Sequence, residues 1–81
     1  MGHYKRTYLF KNRVDSVPKA RYLVRTTLLS WEYRGDVIEP AVLITSELAT
    51  NAVVHATDSA LIKILCELRQ NLLTIGVIDC F

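Results

Sequence analysis

Cysteine, glycine and proline are scarce in this chain, at two, three and two of 81 residues. The two thiols, Cys66 and Cys80, fall in predicted strands without metal-ligand spacing. That argues against a zinc site or a disulfide framework and predicts two reduced, packed thiols. No stretch approaches the roughly 20 apolar residues that cross a bilayer. The start, Met1-Gly2-His3-Tyr4-Lys5-Arg6, carries positive charge with no apolar segment behind it, so a secretory leader is not expected. These absences predict a cytoplasmic chain with no membrane partner. Repeats and low-complexity segments are missing too.

What is present is an ordinary globular composition, 51% hydrophobic and 22% charged, which excludes a disordered chain. Its length sets one domain, residues 1 to 81, with a single core burying roughly 60% of the unfolded surface. A formal net charge of +2 conceals an asymmetry. Residues 1 to 34 hold eight lysines and arginines against two acids, whereas residues 35 to 81 hold two against six. A basic half can meet nucleic acid or an acidic protein. Its charges are spread over a strand and a helix face, however, with no DNA-reading motif, so a solvated face is the preferred reading.

Along the chain, loose alternation from Thr7 to Arg13 predicts a first strand. Asp15-Ser16-Val17-Pro18 predicts a helix start, with Asp or Ser capping free amides and proline confined to the first turn. Val17, Ala20, Val24, Leu28 and Trp31, with Leu23 and Thr27 beside them, keep a helical period to near Tyr33, where Gly35 is expected to break it. Asp36 is predicted to cap a second helix running to about His55, with Val37, Ala41, Ile44, Leu48 and Ala52 on its apolar side. From Ala60 the period becomes two. Ile62, Ile64, Cys66 and Leu68 take one face, Leu61, Lys63, Leu65, Glu67 and Arg69 the other. A short turn at Arg69-Gln70-Asn71 then returns the chain as a strand from Leu72 to Asp79. The order strand, helix, helix, strand, strand predicts a two-layer α/β sandwich.

The most informative segment is Ser46-Glu47-Leu48-Ala49-Thr50-Asn51-Ala52-Val53-Val54-His55-Ala56. It puts a carboxylate, an amide and an imidazole four residues apart, and four helical residues advance about 400° and about 6 Å. Glu47, Asn51 and His55 therefore form a polar stripe drifting slowly around the axis. Such a stripe is a candidate site, or simply the solvated back of an amphipathic helix. Asp79 closes an otherwise apolar strand on the face of Leu73, Ile75 and Val77. If that face packs on the helices, its carboxylate needs a donor. At a frayed end it would only meet water.

Residues Glu47 to Ala56 resemble the N-box of histidine-kinase-type (GHKL, Bergerat-fold) ATP-binding domains, in the branch of bacterial anti-sigma factors that act as serine kinases. The helix start at Ser16-Val17-Pro18-Lys19-Ala20-Arg21 and the strand ending in Val77-Ile78-Asp79 sit where that branch has them. The resemblance implies a partial Bergerat fold with ATP and Mg²⁺ bound between helices and sheet. It also implies phosphate transfer to a serine of an anti-anti-sigma antagonist protein, and sequestration of a sigma factor. Asn51 would hold the metal, since Mg²⁺ takes few hard protein oxygens and completes its shell with phosphate and water. Glu47 would be the general base for the attacking hydroxyl. Asp79 would accept from the adenine amino group. His55 would face phosphate, or terminate the helix, where a partly protonated imidazole suits the dipole.

Three departures from the family stand out. Val54 occupies a position often basic in the box, and Cys80-Phe81 follows Asp79 where relatives continue into a glycine or a polar loop. A second glycine-rich box, the phosphate lid and the closing strands have no counterpart here. The match is thus to an incomplete domain, for which weak turnover and a homodimer through the open sheet edge are expected. Two other classes compete with an ATP-dependent kinase. One is a non-catalytic protein-binding remnant of the same domain, the other a small basic nucleic-acid-binding protein.

Overall fold

Two-fold alternation with one uniformly apolar row demands a sheet covered on one side, and the computed structural model, which describes residues 2–55 and 58–80, has that form. Its elements are β1 (His3–Lys11), α1 (Ser16–Ser30), α2 (Gly35–His55), β2 (Leu61–Arg69) and β3 (Leu72–Cys80). The fold is a mixed α/β arrangement of two helices and a three-stranded antiparallel sheet in the order β1-β2-β3. Ala56, the last residue of the N-box-like segment, and Phe81 lie outside the described residues.

Register sets which side chains meet the helices. Tyr8, Ile64 and Val77 lie in one cross-strand row, Phe10, Ile62 and Asp79 in the next. Ile62, Ile64 and Cys66 are fully buried there against Ala20, Val24 and Leu28 of α1 and Ile38, Ala41 and Val42 of α2. The other row of β2, from Leu61 to Arg69, faces away from the helices. Hydroxyls of Tyr8 and Thr27 bond β1 to α1. At the far end Asn12 ties β1 to the start of β2, its amides donating to the carbonyls of Ala60 and Ser59, both at 3.0 Å.

Local chemistry moves several boundaries from the sequence expectation. The first strand is His3–Lys11, not Thr7 to Arg13, because all nine residues find partners on β2. Arg13 instead turns back, its amide donating to the Lys11 carbonyl. Asp15 stands at the N-cap of α1 without a side-chain cap bond, and the Ser16 hydroxyl donates to the Lys11 carbonyl at 2.6 Å.

Gly35 does not end α1. The helix stops at Ser30 because Glu32 adopts a left-handed φ of 53°. The Glu32 amide then donates to Leu29 and the Tyr33 amide to Leu28, at 3.0 and 3.1 Å, which is a Schellman closure. Gly35 opens α2, so Asp36 sits in its first turn instead of capping it, where its charge still complements the dipole. The buried side of α2 is Ile38, Ala41, Val42, Thr45 and Ala49, rotated from the expected stripe. Ile44 and Leu48 are exposed, while Val37 and Ala52 are half-buried. The 21-residue α2 is also long and apolar enough, by length and composition, to cross a bilayer, contrary to the expectation that no such run exists. Here it packs on α1 and β3.

The hairpin joining β2 to β3 turns at Gln70 and Asn71, both at positive φ (50° and 68°), the pattern of a type I′ loop. Two free thiols result. Cys66 is buried on the helix side, whereas Cys80 is only half-buried on the opposite row, paired with Leu61.

Candidate functional site

The site is built on the C-terminal half of α2 and the end of β3. Thr45 and Ala49 turn into the core, and the Thr45 hydroxyl donates back to the Ala41 carbonyl at 2.9 Å, so no polar atom is stranded there. Their burial turns Glu47, Asn51 and His55 outward, all three exposed. On β3, Asp79 stands opposite Ile62 in the helix-facing row, the face expected for it, and its carboxylate is exposed at the rim of that row.

Between helix and strand lies a shallow, open depression of about 330 Å³ lined by Leu48, Asn51, Ala52, His55, Val77 and Asp79. A second, of about 300 Å³, lies beside it and is lined by Ser46, Glu47, Thr50 and Asn51. Asn51 belongs to both. The fold therefore brings Asn51, His55 and Asp79 together and places Glu47 in the adjoining depression. Glu47 and Asp79 share no concavity. Each volume is at the lower end of the range for small-molecule sites.

Among the described residues, none of the side chains of Glu47, Asn51, His55 or Asp79 has a hydrogen-bond or ion-pair partner, so all four remain available to an external ligand. No group of three or more His, Cys, Asp or Glu side chains able to hold a metal occurs among the described residues. A cation at Asn51 would thus take its remaining oxygens from ligand phosphates and water, which is how Mg²⁺ is commonly held. Leu48, Ala52 and Val77 add apolar surface on which a planar base can rest.

Ser46 and Thr50, absent from the polar stripe expected from the sequence, flank Glu47 in its depression. Their signal lay in helical spacing, since Thr50 follows Glu47 by three residues and Ser46 by four. Arg21 of α1 is likewise outside that stripe. Its Nη1 donates to the Ser46 hydroxyl at 3.0 Å, which brings a guanidinium to the border of this depression. Arg25 lies one turn further along α1 and makes a bidentate pair with Glu39 at 2.8 and 2.9 Å, fixing α1 against α2. Hydrogen bonding from Arg25 holds the Glu39 carboxyl below the ordinary range.

No protein-family model matches this sequence, and no curated protein matches it either.

Proposed function

We propose that this chain is a partial Bergerat-type domain that binds Mg²⁺-ATP between α2 and β3, and that it acts as an anti-sigma regulator of the serine-kinase kind. One observation carries the reading: Asn51 is shared by two adjoining depressions, one ending on Asp79 and the other on Glu47. That is the order in which a nucleotide needs its partners, with a base acceptor at one end, a metal ligand in the middle and a general base beyond.

In this reading Asp79 accepts a hydrogen bond from the adenine amino group, and one face of the ring rests on the apolar surface of Leu48, Ala52 and Val77. Asn51 holds Mg²⁺, which when bound neutralises phosphate charge. His55 borders the same depression and donates to a phosphate oxygen when protonated. Glu47 takes the proton of a serine hydroxyl on an antagonist protein as that oxygen bonds to the γ-phosphorus and the bond to the ADP oxygen breaks. The cytoplasm, where ATP and sigma factors are found, is the compartment this reading requires.

Calorimetric titration with ATP and ADP, each with and without Mg²⁺, tests the proposal. Both nucleotides should bind, ATP with the stronger dependence on Mg²⁺. A ligand selective for the folded state at one hundred times its Kd adds about 2.7 kcal/mol of stability. For a chain of this size that raises Tm by roughly 10–20 °C. Neither heat nor a Tm shift at millimolar Mg²⁺-ATP would eliminate the nucleotide reading. Retained binding of a protein partner in that case would favour the non-catalytic interaction module.

A further inference from the structure

We propose that the outer edge of β1 is a docking edge for an extended acidic segment of a partner protein, which adds to the sheet as a fourth strand. β1 is a terminal strand of the sheet, nine residues long and paired only with β2. Every second residue of such a strand turns its amide and carbonyl outward, over roughly 30 Å for nine residues. These groups form a template for another chain.

Charge decides which chain. β1 carries Lys5, Arg6 and Lys11 and no acid. The sheet face turned from the helices bears Lys5, Lys11, Lys63 and Arg69, together with His3, against a single carboxylate, Glu67. Glu67 is already engaged, with His3 Nε2 at 2.6 Å and Arg69 Nη2 at 3.5 Å. Where β1 ends, a concavity of about 310 Å³ continues the basic strip, with Lys11, Arg13 and Lys19 among its lining residues. Arg13 is paired with Asp15, but Arg6, Lys11 and Lys19 have no carboxylate partner among the described residues.

The two rows of β1 differ. Lys5 and Lys11 lie on the open side, whereas Tyr8 and Phe10 lie half-buried on the helix side, followed towards the start of the strand by the exposed Arg6. An incoming strand with acids on one row and apolar side chains on the other would match both through cross-strand pairs. Lysines on an edge ordinarily repel further strands, and a second copy of β1 would bring three more cations and no acid. The same charges favour an acidic strand. Nucleic acid could use the cations but not the backbone edge. Because β1 and β3 are opposite edges of the sheet, this surface stands apart from the nucleotide site and does not depend on it.

The test uses a fluorescein-labelled decapeptide of alternating glutamate and valine, titrated with the full chain and followed by anisotropy. Three comparisons accompany it: the peptide with lysine for glutamate, the peptide N-methylated at alternate amides, and an oligothymidylate of equal charge. The acidic peptide should bind and shift the amide resonances of residues 3–11. N-methylation should weaken it roughly tenfold or more, as should the Lys5→Glu/Lys11→Glu variant, and the lysine peptide should not bind. The inference is overturned if the acidic peptide fails to bind at millimolar concentration, if N-methylation has no effect, if the shifts map elsewhere, or if the oligothymidylate binds more tightly. Should the double variant not fold, N-methylation and resonance mapping on the native chain still decide.

Discussion

Asn51 of α2 and Asp79 of β3 line one concavity from two different elements, joined only through the packing of helix on sheet. Because the two residues lie 28 positions apart in sequence, any ligand that touches both reports on the tertiary fold. The pairing makes a prediction that separates binding from transfer. A hydrogen bond to a charged group is worth about 1.5–3 kcal/mol. Asp79→Asn should therefore weaken ATP and ADP alike, by roughly tenfold to a hundredfold. Glu47→Ala, in the neighbouring depression, should leave both affinities within about twofold and abolish transfer to an antagonist serine. Titration calorimetry together with a radiolabel transfer assay reads both. Unchanged nucleotide affinity in Asp79→Asn would remove the adenine assignment.

The closure of α1 predicts a stabilising substitution. Glu32 holds a left-handed φ of 53° inside a Schellman motif, a position usually taken by glycine. A non-glycine residue in that region costs about 1–2 kcal/mol, part of which glycine loses again to the flexibility of the unfolded chain. Glu32→Gly should raise stability by about 0.5–1 kcal/mol, seen as a higher urea midpoint with unchanged slope. A lower midpoint would show that the Glu32 side chain supplies more than its backbone costs.

Legibility in the sequence followed how one-sided each pattern was. Ile62, Ile64, Cys66 and Leu68 form an uninterrupted apolar row, whereas the other row carries Lys63, Glu67 and Arg69, so β2 and its buried face can be read directly, and parity carries Asp79 onto the same side. The α2 stripe cannot, because apolar residues occupy most of its circumference and several stripes fit a 3.6 period. The end of α1 is hidden in the sequence because the left-handed residue is a glutamate, which carries no turn signal, while Gly35 further on is the visible breaker. The start of β1 is hidden in the sequence because Lys5 and Arg6 on an exposed edge look like loop residues. The site shows the same logic. Four-residue spacing keeps Asn51 and His55 on one concavity, but each step drifts about 40°, so Glu47 falls roughly 80° from His55 and into the adjoining depression.

Acid should destabilise the fold through two carboxyls. Hydrogen bonds from Arg25 lower the Glu39 pKa, and hydrogen bonding with His3, ahead of the charges of Arg69 and Lys5, lowers that of Glu67. A depressed carboxyl stabilises the folded state fully above its unfolded value of about 4.3, and that contribution is lost as pH falls through the folded value. Tm should therefore be insensitive to these groups above about pH 5 and should fall below about pH 4. Both pairs are exposed, so the effect is small and weakens in 1 M salt. The Glu39→Gln/Glu67→Gln variant should show a shallower acid limb in a thermal scan. An unaltered limb would assign acid sensitivity to other groups.

Two thiols of different burial should react at different rates. Burial pushes the Cys66 thiol up to about 11, and its side chain is sealed between Ile75 on the sheet and the helix layer. Only the thiolate attacks a disulfide reagent, so Cys66 is protected twice, by low ionisation and by lack of access. Cys80 is half-buried near the end of an edge strand on the opposite row. With an aromatic disulfide reagent at pH 8, one thiol should react promptly and the second only as fast as the chain opens, and both should react together in denaturant. Cys80→Ala should remove the fast phase alone. Cys66→Ser would bury a hydroxyl among apolar neighbours and should cost about 1–3 kcal/mol. A single fast phase accounting for both thiols would mean that the helix layer does not seal Cys66, and the concavity between α2 and β3 would then lack the rigid wall that holds Asn51 across from Asp79.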